Sequence, residues 1–199
     1  MTSSVPIVQT GAAILRAKAR PVPVEQIATD DFQQLVTLMI RTMREAPGVG
    51  LAAPQIGVPL QVLVLEDRDA FLSSLGEDEL AERERVPVPV RVFINPTLEV
   101  IGNETVTFFE GCLSVEGFTA LVTRWREVEI TGLDEHGASV TWRVKGWPAR
   151  ILQHEIDHLE GTLYIDRMNP RSFSSPELAQ ERFSGMSVTE IEAALQLGR

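Results

Sequence analysis

The segment His154-Glu155-Ile156-Asp157-His158 constrains this chain more than any other stretch. On an α-helix, positions i and i+4 lie one above the other on a single face. Both imidazoles can then meet one cation, with the Glu155 carboxylate beside the first of them and in reach of a water on that cation. The flanks agree with a helix. Pro148 suits a first turn, Ile151, Leu152, Ile156 and Leu159 continue the pattern, and Gly161 is a stop. Two of the chain's three histidines fall here, which counts against a chance match.

A hydrolytic site of this kind takes three protein ligands and leaves one position to water. No histidine follows His158. Carboxylates downstream, at Glu160, Asp166, Glu177 and Glu181, would complete a His-His-Glu metallopeptidase site. Upstream, Cys112 is the only cysteine and sits in Glu110-Gly-Cys-Leu-Ser-Val115, where glycine allows close backbone approach. A lone cysteine is usually a small buried hydrophobe. With a two-histidine helix in the same chain, the ligand reading becomes the stronger one. Thiolate and imidazole suit zinc or iron, whereas magnesium or calcium wants oxygen. A non-catalytic structural-metal protein would need four protein ligands, and only three convincing ones are present.

The 199 residues suffice for one domain, taken as 1–199, and the 44% hydrophobic and 23% charged composition is that of a globular protein. A formal net charge of −10 argues against nucleic-acid binding, which needs a basic face. One cysteine excludes an intrachain disulfide and fits a reducing compartment. No stretch approaches the roughly 20 apolar residues of a membrane span, and residues 1–20 lack the apolar run of a secretory signal. A cytoplasmic protein without membrane contact is expected.

Along the chain, residues 5–24 read as extended. Phe32, Leu35, Val36, Met39, Ile40 and Met43 recur at helical spacing, with Asp30 or Asp31 as cap and Pro47-Gly48 as stop. The run Gly48 to Gly57 cannot be regular helix. Residues 60–65 read as a strand, and the charged stretch 66–86 as a solvated excursion with a short surface helix. Strands follow at Val90–Asn95, Leu98–Ile101, Thr105–Phe109, Ala120–Thr123, Glu127–Leu133 and Ser139–Val144, with a hairpin loop at Asp134–Gly137. A last helix is expected at 188–197, opened by a Ser187/Glu190 capping box. The fold class is α+β.

Three segments, Gly48-Val-Gly-Leu-Ala-Ala-Pro-Gln-Ile-Gly57, Glu110-Gly-Cys-Leu-Ser-Val115 and Gln153-His-Glu-Ile-Asp-His-Leu-Glu-Gly161, resemble in order and spacing the signature motifs of peptide deformylases. The resemblance implies a metal helix packed centrally against antiparallel sheets, and removal of the formyl group from the formyl-methionine of new polypeptides, releasing formate. It further implies Cys112, His154 and His158 as ligands of one divalent ion, with Glu155 as acid/base. Gln55 and the Leu113 N–H would hold the oxyanion, and Gly50 the substrate backbone. The ion would be Fe2+ in the cell, with Zn2+, Ni2+ or Co2+ tolerated. Formylated nascent chains would be the partner, met close to the ribosome. Glu116 and Thr119 depart from residues common in the family near the substrate cleft, and Trp147-Pro-Ala-Arg-Ile-Leu resembles the branch with organellar enzymes.

Val49, Leu113 and Ile151 adjoin motif residues and are candidates for an apolar methionine pocket. Gln153 is read as orienting a ligand or lying on the surface. Glu110 either pairs with an arginine such as Arg124 or is solvated. Asp157 is read as the solvent face of its helix, and His136 as exposed in a turn.

Overall fold

The periodic segment before the glycine-rich run forms helix α2 (Asp30–Glu45), after a short helix α1 (Val24–Ile27). The cap is Thr29, whose hydroxyl accepts from the Phe32 N–H at 3.4 Å. Asp30 and Asp31, expected as caps, stand instead in the first turn, where their charge complements the helix dipole. Phe32, Val36, Met39 and Met43 are buried as the spacing requires. The computed structural model describes residues 4–73 and 75–196.

Five strands form one antiparallel sheet in the order β1-β2-β3-β6-β7: β1 (Gly50–Ala52), β2 (Val62–Asp67), β3 (Val88–Val100), β6 (Glu127–Leu133) and β7 (Ser139–Lys145). A second sheet is the hairpin of β4 (Thr105–Cys112) and β5 (Val115–Trp125). Strand β2 shows why its sequence is an unbroken apolar run. Val62 and Val64 face α2, whereas Leu63 and Leu65 face helix α5 (Trp147–Leu159), so both faces of the strand are buried. The large sheet therefore lies between α2 and α5, and α5 also touches β5 of the hairpin. This is the α+β arrangement around a central helix that the motifs implied.

Several boundaries differ from expectation. The strands expected at Val90–Asn95 and Leu98–Ile101 are one strand, β3, which passes through Pro96 by a register shift between Ile94 and Thr97. Asn95 takes φ of 51° there, and its amide clasps the Val22 backbone at 2.7 and 2.8 Å. The excursion at 66–86 holds helices α3 (Asp69–Leu72) and α4 (Glu77–Glu82), but it is not wholly solvated. Asp67 is buried and bound twice by Arg85, at 2.7 and 2.9 Å, which pins the base of the loop.

Helix α6 (Pro176–Phe183) was not anticipated; α7 (Val188–Gln196) was, together with its cap, in which the Glu190 carboxylate accepts from the Ser187 N–H at 2.8 Å. Residue 197 of that expectation lies outside the described residues. Ala179 and Phe183 of α6 and Ile191 and Leu195 of α7 pack on Leu121 of β5. No described helix is long and apolar enough to cross a membrane.

Candidate metal centre and active site

Strands β4 and β5 run further than expected and meet at the two-residue turn Leu113-Ser114. Cys112 thus closes β4, just past a register shift at Gly111, and its side chain turns toward α5. On α5 the i, i+4 spacing puts the His154 and His158 rings 5.0 Å apart. Cys112 Sγ lies 3.3 Å from His158 Nε2. The donor atoms of Cys112, His154 and His158 all fall within 4.8 Å of one another, the single such cluster found among the described residues. Glu160 pairs with Lys18 and Asp166 with Arg16, while Glu177 and Glu181 stay exposed on α6. None joins the histidines, so the His-His-Glu alternative has no third ligand among the described residues.

The donor set fits a borderline-soft divalent ion such as zinc or iron. His154 Nδ1 is 3.1 Å from Glu110 Oε2, which leaves the opposite ring nitrogen for the cluster. Burial holds His158 well below the ordinary imidazole range, which favours the neutral form a ligand takes. At His154 burial is outweighed by Cys112 and Glu110, which hold it well above that range, so His154 has to give up a proton to bind an ion.

Glu155 is buried, and its Oε2 has no hydrogen-bond partner. Burial pushes this carboxyl up to about 7. The carboxylate lies against the Cα of Gly50. A β-carbon there would come within 2.8 Å of Glu155 Cδ and 2.9 Å of Cγ. Position 50 therefore has to be glycine for Glu155 to hold its place. Gly50→Ala is expected to displace the carboxylate and cost about 10²-fold in turnover. Steady-state hydrolytic turnover at matched metal content checks it, and a wild-type rate would show that Glu155 is not held by this contact.

Gln55 sits in a 3₁₀ turn, Ala53–Ile56, and is buried. Its Oε1 accepts from the Ala52 N–H at 2.8 Å, which aims Nε2 at Ser114 Oγ (3.3 Å) and Cys112 Sγ (3.7 Å). A cleft of about 740 Å³ joins these groups; Val49, Gly50, Gln55, Leu113, Ile151 and Glu155 line it, beside Cys112 and His154. All three methionine-pocket candidates are thus on its wall.

A buried ionic network under the cluster was only partly foreseen. Glu110 takes two hydrogen bonds from Arg124, at 3.0 and 2.9 Å, and one from Arg150 at 2.6 Å. Burial alone would raise the Glu110 carboxyl, but hydrogen bonds from His154 and Arg124 outweigh it and hold the group well below the carboxylate range. Asp157, read as solvent-facing, is buried between Arg124 (2.5 Å) and Arg167 (2.6 and 2.7 Å). Gln153 neither orients a ligand nor lies on the surface. It clasps the Trp125 backbone N–H and C=O at 3.0 and 2.8 Å, tying α5 to the end of β5. Thr119 is buried with its hydroxyl donating to the Glu110 carbonyl, so of the two departures Glu116 alone lines the cleft. His136 is exposed in its turn, as expected.

The family model of polypeptide deformylase matches residues 4–174. The chain is 50% identical over 171 residues to peptide deformylase 1A, chloroplastic, of Solanum lycopersicum, covering 86% of this chain and 62% of that protein. It is 46% identical over 190 residues to peptide deformylase 3 of Streptomyces avermitilis, covering 96% and 83%. The chain therefore spans about 62% of the length of that plant relative and 83% of the bacterial one. Among solved structures, a Met-Ala-Ser-bound class I type b peptide deformylase from Acinetobacter baumannii superposes with TM-score 0.75 at 31% identity, covering 84% of this chain and 100% of that one. With three ordered motifs, one cleft that unites them, and this agreement in sequence and fold, the chain belongs to the polypeptide deformylase family.

Proposed function

We propose that this chain is a peptide deformylase, hydrolysing the N-terminal formyl amide of formyl-methionyl polypeptides to formate and a free amine, with residues 1–199 as one catalytic domain. The observation that carries this reading is the buried Glu155 carboxylate, its Oε2 without a partner, opening on the same cleft as Cys112 and His154, which cluster with His158.

Cys112, His154 and His158 hold one divalent ion, iron in the cell, for which zinc, nickel or cobalt can substitute. When bound, such an ion acts as a Lewis acid and lowers the pKa of water to roughly 7. Glu155 takes the proton of the attacking water and passes one to the departing nitrogen, which as an unprotonated amide anion would be a poor leaving group. A carboxyl pushed up to about 7 is matched to taking and giving a proton near neutrality. The Gln55 Nε2–H and the Leu113 backbone N–H face the oxygen of the formyl group as it gains charge. The plane of the Gln55 amide is already fixed by the Ala52 N–H, so Nε2 has only to exchange its contact with Ser114 Oγ or Cys112 Sγ for the substrate oxygen. Gly50 offers its backbone to the peptide: β1 is an edge strand of the large sheet, paired on one side by β2.

Val49, Leu113 and Ile151 supply the apolar wall for methionine. Ile151→Asn is expected to raise KM for formyl-Met peptides about tenfold with a smaller change in kcat; an unmoved KM would remove Ile151 from the pocket. A nascent-chain substrate puts the protein in the compartment of synthesis, which we assign as the cytoplasm, close to the ribosome. The net charge of −10 argues that it reaches the chain without gripping nucleic acid.

The deciding experiment is anaerobic formate release from formyl-Met-Ala-Ser by iron-loaded protein, alongside Cys112→Ala. Turnover in the wild type and loss of tight metal binding in the variant are expected. One bound ion per chain with no turnover on any formylated peptide would overturn the proposal and favour a structural metal.

A further inference from the structure

The loop that carries the Leu113 N–H is not shaped by its own hairpin. Cys112 pairs with Val115, so Leu113 and Ser114 are the whole connection between β4 and β5. Two-residue connections ordinarily use turns with a residue at positive φ, a place for glycine, asparagine or aspartate. Neither Leu113 nor Ser114 takes a positive φ. A register shift between Gly111 and Cys112 also interrupts the ladder just before the loop. The loop therefore depends on contacts from outside the ladder for its shape.

Those contacts come from the extended segment at 8–10. The Gln9 side chain, 104 positions before Leu113 in the chain, spans the loop. Its Nε2 donates to the Leu113 carbonyl at 2.9 Å and to the Ile7 carbonyl at 3.3 Å, and its Oε1 accepts from the Glu116 N–H at 3.4 Å. The Thr10 N–H donates to the Ser114 carbonyl at 2.8 Å. On the other side of Gln9, the Val8 N–H donates to the Gln55 carbonyl, also at 2.8 Å. Gln55 follows β1 of the five-stranded sheet, whereas Leu113 sits at the tip of the hairpin. Three consecutive residues thus tie together the two turns that carry the oxyanion donors. Gln9 itself is exposed and belongs to no hydrophobic core cluster, so its contacts are not a by-product of core packing.

We propose that Gln9 is a positioning residue for the hydrolysis: by gripping the Leu113 carbonyl and the Glu116 N–H it pins the peptide unit after Leu113 and, through it, the aim of the Leu113 N–H at the developing oxyanion. This rests on the deformylase reading and adds to it a residue that lies outside the three sequence motifs. Removing a whole oxyanion donor typically costs about 10²–10³ in turnover. A donor that is kept but misaimed costs less, so Gln9→Ala is expected to lower kcat about three- to thirtyfold. The neutral carbonyl of the bound substrate draws far less on this donor than the oxyanion does, so the loss falls on kcat and leaves KM within about twofold.

The test is formate release from formyl-Met-Ala-Ser by iron-loaded Gln9→Ala, Gln9→Glu and Gln9→His at matched metal content, with amide hydrogen exchange over residues 112–116 followed on the same proteins. Gln9→Ala should show the loss in kcat together with faster exchange in that segment. Its thermal midpoint should stay near wild type, because the side chain it removes is exposed. Gln9→Glu keeps the length but turns a carboxylate toward the Leu113 carbonyl, so it should be no faster than the alanine variant. Gln9→His can place its Nε2–H at a similar reach and should recover most of kcat. A kcat for Gln9→Ala close to wild type, a loss carried by KM, or a histidine variant no better than alanine overturns this inference alone. So does a fall in kcat that comes with unchanged exchange over 112–116 or with a matching fall in thermal midpoint, since the effect would then not pass through the loop. Absence of wild-type turnover on every formylated peptide overturns the deformylase reading and takes this inference with it.

Discussion

Glu155→Gln is expected to lower kcat for formate release by about 10²–10⁴-fold while metal content stays at the wild-type level. Glutamine keeps the size of the side chain and its contact with Gly50, so the cleft keeps its shape. What it removes is the capacity to take a proton from water and return one to nitrogen. The separation of roles is testable because Glu155 is not part of the three-donor cluster. A loss confined to kcat, with metal retained, assigns the proton work to Glu155. A loss that tracks metal content would make it a ligand or a prop, and turnover near wild type would remove it from the chemistry.

The largest expected effect on stability is at Arg124. Its side chain is 3% exposed and bridges Glu110, 5% exposed, to Asp157, 8% exposed. Removing one member of a buried ion pair strands the other charge and typically costs about 3–5 kcal/mol. Arg124→Met should fall at the lower end, about 3 kcal/mol, since Glu110 keeps Arg150 and Asp157 keeps Arg167. Arg124→Lys should not restore the loss, because a single ammonium cannot present the forked donors that reach two carboxylates at once. Urea unfolding midpoints of the metal-free protein measure both. By contrast Arg143, whose pair with Glu127 is 57% and 33% exposed and screened by solvent, should tolerate alanine with a midpoint near wild type. A midpoint for Arg124→Met equal to that of Arg143→Ala would show the network to be incidental.

Much of the site was legible because its signals are local. The i, i+4 histidines, the glycine before Cys112 and the short polar break at Gln55 each report a backbone geometry directly. Asp157 was misread for the opposite reason. A helix with one apolar stripe presents its polar residues to water, and Asp157 was placed by that rule. Helix α5 is enclosed by the large sheet on one side and the hairpin on the other, so its polar positions are interior. The arginines that satisfy Asp157 lie on β5 and beyond the helix, where no local pattern points to them. Helix α6 was missed because it buries only Ala179 and Phe183 and leaves Leu178 exposed, too weak a stripe to recognise. Its start was readable all the same: Ser175 caps Leu178 at 3.3 Å and Pro176 follows it. The single long β3 was divided at Pro96 because proline ordinarily ends a strand; here the register shift removes the need for its missing N–H.

Cys112 belongs to the two-stranded sheet, whereas His154 and His158 ride on the helix that fills the hollow of the five-stranded one. An ion shared by these residues adds a further clasp between hairpin and helix, beside the hydrogen bonds of Gln153 and Arg124. By mass action, a ligand that binds only the closed arrangement stabilises it by about 2.7 kcal/mol at a hundred times its dissociation constant. The unfolding midpoint of this protein should therefore climb with free metal concentration, and chelation should loosen the seam between hairpin and helix before it disturbs the sheet between α2 and α5. The residues that equip the chain for hydrolysis would then also set how firmly its two halves hold together.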